Sequence, residues 1–164
     1  MTNVEFKLSQ ANAHPNAQQL LKDEFYWDPT EEAGPFGSDN GSDAFYAFIQ
    51  WRKRNQDTPP FEFVKDIITR WGFLNDHYEE TDPEKIAELV KKDSYGIMAR
   101  DNALIAVCFG QFVLEGQVDP EMKILAMIAL QRQKDPQVST LFAPDYHQQR
   151  LEILNKMIDD LKKV

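Results

Sequence analysis

The chain carries one cysteine, Cys108, in 164 residues. A single thiol excludes an intrachain disulfide framework. Its place in the apolar run Ala103-Leu-Ile-Ala-Val-Cys-Phe109 reads as a buried, inert side chain rather than a nucleophile. Histidine is sparse too, and the three, His14, His77 and His147, share no metal-ligand spacing. Glycines number seven, and none stands in a Gly-x-x-x-x-Gly-Lys or Gly-x-Ser-x-Gly pattern. That removes the phosphate-cradling loop and the nucleophile elbow. Bases are outnumbered 18 to 27 by acids, for a net charge of −9. Nucleic-acid phosphates repel such a surface, whereas a basic protein or a cation suits it. No run of consecutive apolar residues approaches the ~20 of a membrane span. The opening Met1-Thr-Asn-Val-Glu-Phe-Lys7 lacks the basic-then-apolar order of a secretory leader, so the expected location is the cytoplasm.

Apolar residues are plentiful, at 42% with 12% aromatic, which suffices for one packed core over residues 1–164. Their spacing predicts an all-α, single-domain bundle of about seven helices. The first is expected from Pro15 to about Glu24 and the second from about Asp43 to Arg54, capped by Ser42 or Asp39. A third opens at Thr58-Pro-Pro60 and ends before Gly72. Thr81 and Glu84 have capping-box spacing for a fourth, running to about Lys92. Gly96 weakens any helix through residues 93–100. Residues 101–115 are apolar on nearly every face and belong at the centre of the domain. Residues 119–133 follow after a short link, so the two are expected to form a central antiparallel hairpin. A looser link after Asp135-Pro136 leads into a last helix ending near Lys162, with Leu151, Leu154, Ile158 and Leu161 inward.

One stretch departs from this pattern, from Phe25 to Asp43. Three aromatics lead into a loop rich in acids and glycines that ends in a Ser/Asp cluster. The first 50 residues hold two bases and eight acids, so they carry −6 of the net charge of −9. The loop fails the EF-hand pattern in either register, because the positions that must supply oxygens fall on Gly34 and Phe36, or the loop begins at Phe36. Pro35 and Gly37 set a turn, Phe36 is expected in the core, and the Ser/Asp pairs cap the next helix. No complete catalytic constellation, metal-ligand set or cofactor motif is present in the sequence. Trp27, Asp28, Glu31, Glu32, Phe36, Asp39 and Asp43 are therefore the candidate partner-binding residues, aromatic anchors beside exposed acids.

Several short motifs carry a resemblance: His14-Pro-x-Ala17, Leu20-Leu21, Phe25-Tyr-Trp-Asp28, Pro35-Phe-Gly-Ser-Asp-Asn-Gly-Ser-Asp43, Trp51-Arg52, and Asp101-x-x-x-Ile105-Ala-x-x-Phe-Gly-Gln-Phe-x-Leu-Glu-Gly116. Together they resemble the YfeS-like group of uncharacterised bacterial proteins over most of the chain. The resemblance implies a bacterial cytoplasmic protein whose loop is a family trait, and it carries no catalytic residues. The residues themselves support a non-enzymatic acidic protein, immunity-like or regulatory, that binds a basic protein. The alternative is a divalent-metal-dependent hydrolase or small-ligand protein using Asp28, Glu31, Glu32, Asp39 and Asp43, which requires those carboxylates to converge. A third possibility, an acidic surface that mimics DNA, requires the acids to align at phosphate-like spacing.

Overall fold

The computed structural model describes residues 6–164; Glu5, one of the acids counted above, lies outside the described residues. Seven α-helices follow one another among the described residues. They are α1 (Pro15–Leu20), α2 (Asp39–Arg54), α3 (Pro60–Arg70), α4 (Pro83–Glu115), α5 (Pro120–Gln133), α6 (Pro136–Ser139) and α7 (His147–Lys162). Single 3-10 turns lie at Gln10–Asn12, Glu24–Tyr26 and Pro144–Tyr146. The all-α, single-domain bundle expected from the sequence is the fold observed.

Prolines mark most of the helix starts. Asp82, Asp119 and Asp135 each stand before a proline at the first helical position. Their carboxylates accept from the backbone N–H of Glu84, Glu121 and Gln137 at 3.1, 3.0 and 2.8 Å. His14 fills the same role before Pro15, with Nδ1 accepting from Asn16 N–H at 3.1 Å. Proline presets the helical φ and has no N–H to leave unpaired, while the preceding side chain satisfies the next donor. The fourth helix therefore starts from Asp82 rather than from a Thr81 capping box.

The largest departure from the sequence reading is α4. Instead of a helix ending near Lys92 and another starting at Asp101, a single 33-residue element runs through, kinked at Asp93 (φ −151°, ψ 53°). Asp93 leaves the helical geometry and becomes a cap inside the element, its Oδ1 accepting from Gly96 N–H at 3.1 Å. A Cβ on Gly96 would lie 2.0 Å from Asp93 Oδ2. Glycine, costly in an ordinary helix, is here the residue that leaves room for the capping carboxylate.

Beyond the kink, α4 is the axis of the molecule. Residues 103–113 are all buried, and α2, α3 and α5 pack around them. By length and composition α4 also qualifies as a membrane span, but 83% of its most apolar window is covered by the rest of the fold. The hairpin of α4 and α5 is antiparallel. Gln111 Oε1 accepts from Asp119 N–H across the turn at 2.9 Å, and Asp101 meets Arg132 at the far end. Gly116 ends α4 in the left-handed region (φ 73°). Residues 136–139, read as part of a link, form the one-turn helix α6. On α7 the inward stripe is Arg150, Ile153, Leu154, Met157, Ile158 and Leu161. Leu151, expected inward, is exposed.

Candidate site under the acidic loop

The 25–43 segment is pinned by its aromatics. Tyr26 is fully buried against Phe109 (centroids 5.5 Å apart), and its hydroxyl donates to Asp160 at 2.7 Å. Burial, and then the neighbouring carboxylate, hold the Tyr26 phenol well above its ordinary range. Phe25 lies against Tyr26 at 4.2 Å, and Trp27 Nε1 donates to the Leu21 carbonyl at 3.1 Å. Phe36 is buried against Phe45 at 4.3 Å, as its apolar character requires. The turn between these anchors is tight, because a Cβ on Gly37 would fall 1.9 Å from the Glu31 carbonyl oxygen. Only glycine permits that approach.

The segment re-enters the helical bundle one turn earlier than the sequence suggested. Of the Ser/Asp pairs expected to cap α2, the first supplies the N-cap: it is Ser38, rather than Ser42 or Asp39, and its Oγ accepts from Gly41 N–H at 3.0 Å. Asp39 and Asp43 thus stand on the first turns of α2, four residues apart on one face. Both are exposed, as are Asp28 and Glu32. Asp28 is occupied locally: one oxygen accepts from the Thr30 hydroxyl at 2.7 Å and the Thr30 N–H at 2.8 Å. Those bonds, the hydroxyl's first, lower its pKa. Glu31 is drawn into the structure instead, accepting from the Tyr146 hydroxyl, from Ala33 N–H at 3.2 Å and from Gln149 Nε2 at 2.9 Å.

Of the seven residues singled out from the sequence, Trp27, Glu31 and Phe36 therefore anchor the loop. Asp28, Glu32, Asp39 and Asp43 face solvent, and none of these four pairs with a basic side chain among the described residues. Nor do three metal-ligating side chains come together anywhere among the described residues. Of the five carboxylates named for a metal-dependent hydrolase, Glu32 and Asp39 border one cavity, while Asp28, Glu31 and Asp43 do not line it.

Beneath the loop lies a cavity of about 210 Å³. The segment 32–39 forms one wall, with Glu32, Ser38 and Asp39. Helix α4 supplies Met98, Asn102 and Ile105, α5 supplies Gln133, and α7 supplies Arg150 and Leu154; Phe142 closes one side. Behind it runs a buried polar chain. Arg132 Nε donates to both oxygens of Asp101 at 3.0 and 3.1 Å, and Nη1 reaches the Glu80 carbonyl at 2.8 Å. Gln133 Nε2 donates to Asp101 Oδ2 at 2.7 Å, and its Oε1 accepts from Arg150 Nη2 at 2.6 Å. Arg150 Nη1 donates to the Gln133 carbonyl at 2.8 Å, and its guanidinium lies 4.0 Å over the Phe142 ring. Burial lowers the Arg150 pKa to about 10.

The sequence reading did not single out Arg150, Asn102 or Gln133. A signal for Arg150 was present: it sits four residues before Leu154 and seven before Met157, a charged residue on the apolar stripe of α7. Cys108 is buried, and burial pushes its thiol pKa up, in keeping with an inert side chain.

Fold and site define an all-α, single-domain protein with a pinned acidic loop over a small, arginine-lined cavity. The chain is similar to the uncharacterized protein YfeS of Escherichia coli (strain K12), with 28% identity over 158 residues that cover 96% of this chain. The likeness to the YfeS-like group of uncharacterised proteins thus holds across almost the whole chain. The chain spans 64% of the length of that relative. No protein-family model matches the chain, and no solved structure does.

Proposed function

We propose that this domain is a non-enzymatic protein-binding module, immunity-like or regulatory, that recognises a basic protein partner through Asp28, Glu32, Asp39 and Asp43. The observation that carries the reading is the division of labour in the loop. Its aromatics and Glu31 are committed to the fold, while the four remaining carboxylates are exposed and, among the described residues, outside the ion pairs. A surface of this kind breaks no ion pair among the described residues on binding and accelerates encounter with a cationic partner. The net charge of −9 reinforces the steering.

The test is affinity capture from extracts of the source cells, followed by binding isotherms with the recovered protein across a salt series. Affinity is expected to fall with rising salt. A variant with Asp28→Asn, Glu32→Gln, Asp39→Asn and Asp43→Asn is expected to fold normally and to bind roughly tenfold or more weakly. Equal binding by that variant and the native protein would remove the loop from the interface.

A further inference from the structure

The buried polar chain under the loop does not balance its charge. Asp101 is completely buried and already serves Arg132, with which it forms the ion pair of this region. Arg150 is 96% buried by exposure (4% relative accessibility), yet it takes part in none of the ion pairs among the described residues. Its hydrogen-bond acceptors are the amide and carbonyl oxygens of Gln133, both neutral. Two guanidinium groups thus share one carboxylate. A buried cation without a counter-ion is expensive, and the usual resolution is a partner of opposite charge. Arg150 lines the cavity, where Asn102 and Ser38 add uncharged polar groups and Met98, Ile105 and Leu154 an apolar wall.

The loop's contribution to the lining narrows the choice of ligand. Glu32 and Asp39 border the same cavity and are exposed. A simple anion entering past them meets repulsion, and a simple cation meets Arg150. A molecule carrying both charges satisfies both walls. The volume, about 210 Å³, suits a compact ligand. The Met98, Ile105 and Leu154 wall leaves room for a short apolar side chain.

We infer that the cavity between the 32–39 segment, α4 and α7 is a binding site for a small zwitterion of the free α-amino-acid class. Arg150 receives the carboxylate, Glu32 and Asp39 face the ammonium group, and Asn102 hydrogen-bonds between them. The site goes beyond the protein-binding role: it shares Glu32 and Asp39 with that proposal but rests on the cavity and on Arg150, which a protein partner on the loop would not need.

The test is a calorimetric and thermal-shift comparison of the intact protein with the common L-amino acids, acetate and ethylammonium, each at millimolar concentration. Saturable binding by at least one small apolar or uncharged amino acid is expected, with acetate weaker by roughly tenfold and ethylammonium not binding. Asn102→Leu, half-buried at the cavity wall, is expected to weaken that binding roughly tenfold. Glu32→Gln with Asp39→Asn, both at exposed positions, is expected to erase the preference for amino acid over acetate. Failure of every amino acid to bind, or acetate binding as tightly as the best of them to the native protein, would overturn the assignment. Either result leaves partner capture untouched, so the two readings stand or fall separately.

Discussion

At the residue scale, the groups that shape the site are polar residues in apolar surroundings. Tyr26 and Asp160 are the clearest pair. Both are buried, and the phenol donates to the carboxylate at 2.7 Å. Replacing Tyr26 by Phe keeps the ring against Phe109 but leaves a buried carboxylate without its donor. Such an orphan costs on the order of 1–3 kcal/mol. Tyr26→Phe is therefore expected to lower the urea midpoint of unfolding without changing the slope of the transition. A midpoint equal to the native one would show that Asp160 finds another donor. Phe36 was legible as a core residue and Trp27 as an aromatic anchor of the loop, but Glu31 was legible only as one acid among several. A carboxylate in an acidic loop reads the same whether it turns in or out, and only packing separates the cases. Arg150 was legible only as a charge on an apolar stripe, and its role depends on residues from four other segments.

At the scale of elements, local chemistry decided most starts and stops. The aspartate-proline and histidine-proline steps are short-range signals, and α1, α5 and the hairpin turn follow from them. The kink in α4 was not legible. Gly96 was read as a weak point, because glycine is about 1 kcal/mol poorer than alanine in a helix. In place, it makes room for the Asp93 cap. The two substitutions should therefore be strongly coupled. Gly96→Ala alone is expected to destabilise the protein, since the new methyl group displaces the Asp93 carboxylate and its contact to buried Arg100 at 3.4 Å. Made in an Asp93→Ala background, the same change is expected to be neutral or stabilising, by about 0.5–1 kcal/mol. A double-mutant cycle in urea measures the coupling, and simple additivity would reject the account.

For the whole molecule, several tyrosines tie the elements together. Burial is the first cause that raises the pKa of Tyr26, Tyr78 and Tyr146; Tyr78 is pushed up to about 12 from its ordinary 10.0. A group whose folded pKa exceeds its unfolded value contributes stability in full below the unfolded pKa and loses it as pH rises through the folded one. The stability of the domain is thus expected to hold up to about pH 10 and to fall above it. Urea midpoints from about pH 9 to about pH 12 give the profile. Tyr26→Phe should flatten the fall, and an unchanged slope would assign the loss to other groups.

The sequence by itself determined the helical class, the central apolar hairpin, most of the capped helix starts and the acidic character of the first 50 residues. Each of these rests on interactions within a few positions of the chain or on composition, which is why spacing alone reveals them. Only the tertiary structure decided that α4 continues past Asp93, which of the Ser/Asp pairs caps α2, and that Glu31 turns inward while Asp28, Glu32, Asp39 and Asp43 stay out. It alone brought Asp101, Gln133 and Arg150 into one buried chain behind a cavity. Those arrangements depend on which distant segments exclude water from a given side chain, and burial of that kind is a property of the packed molecule rather than of any local run of residues.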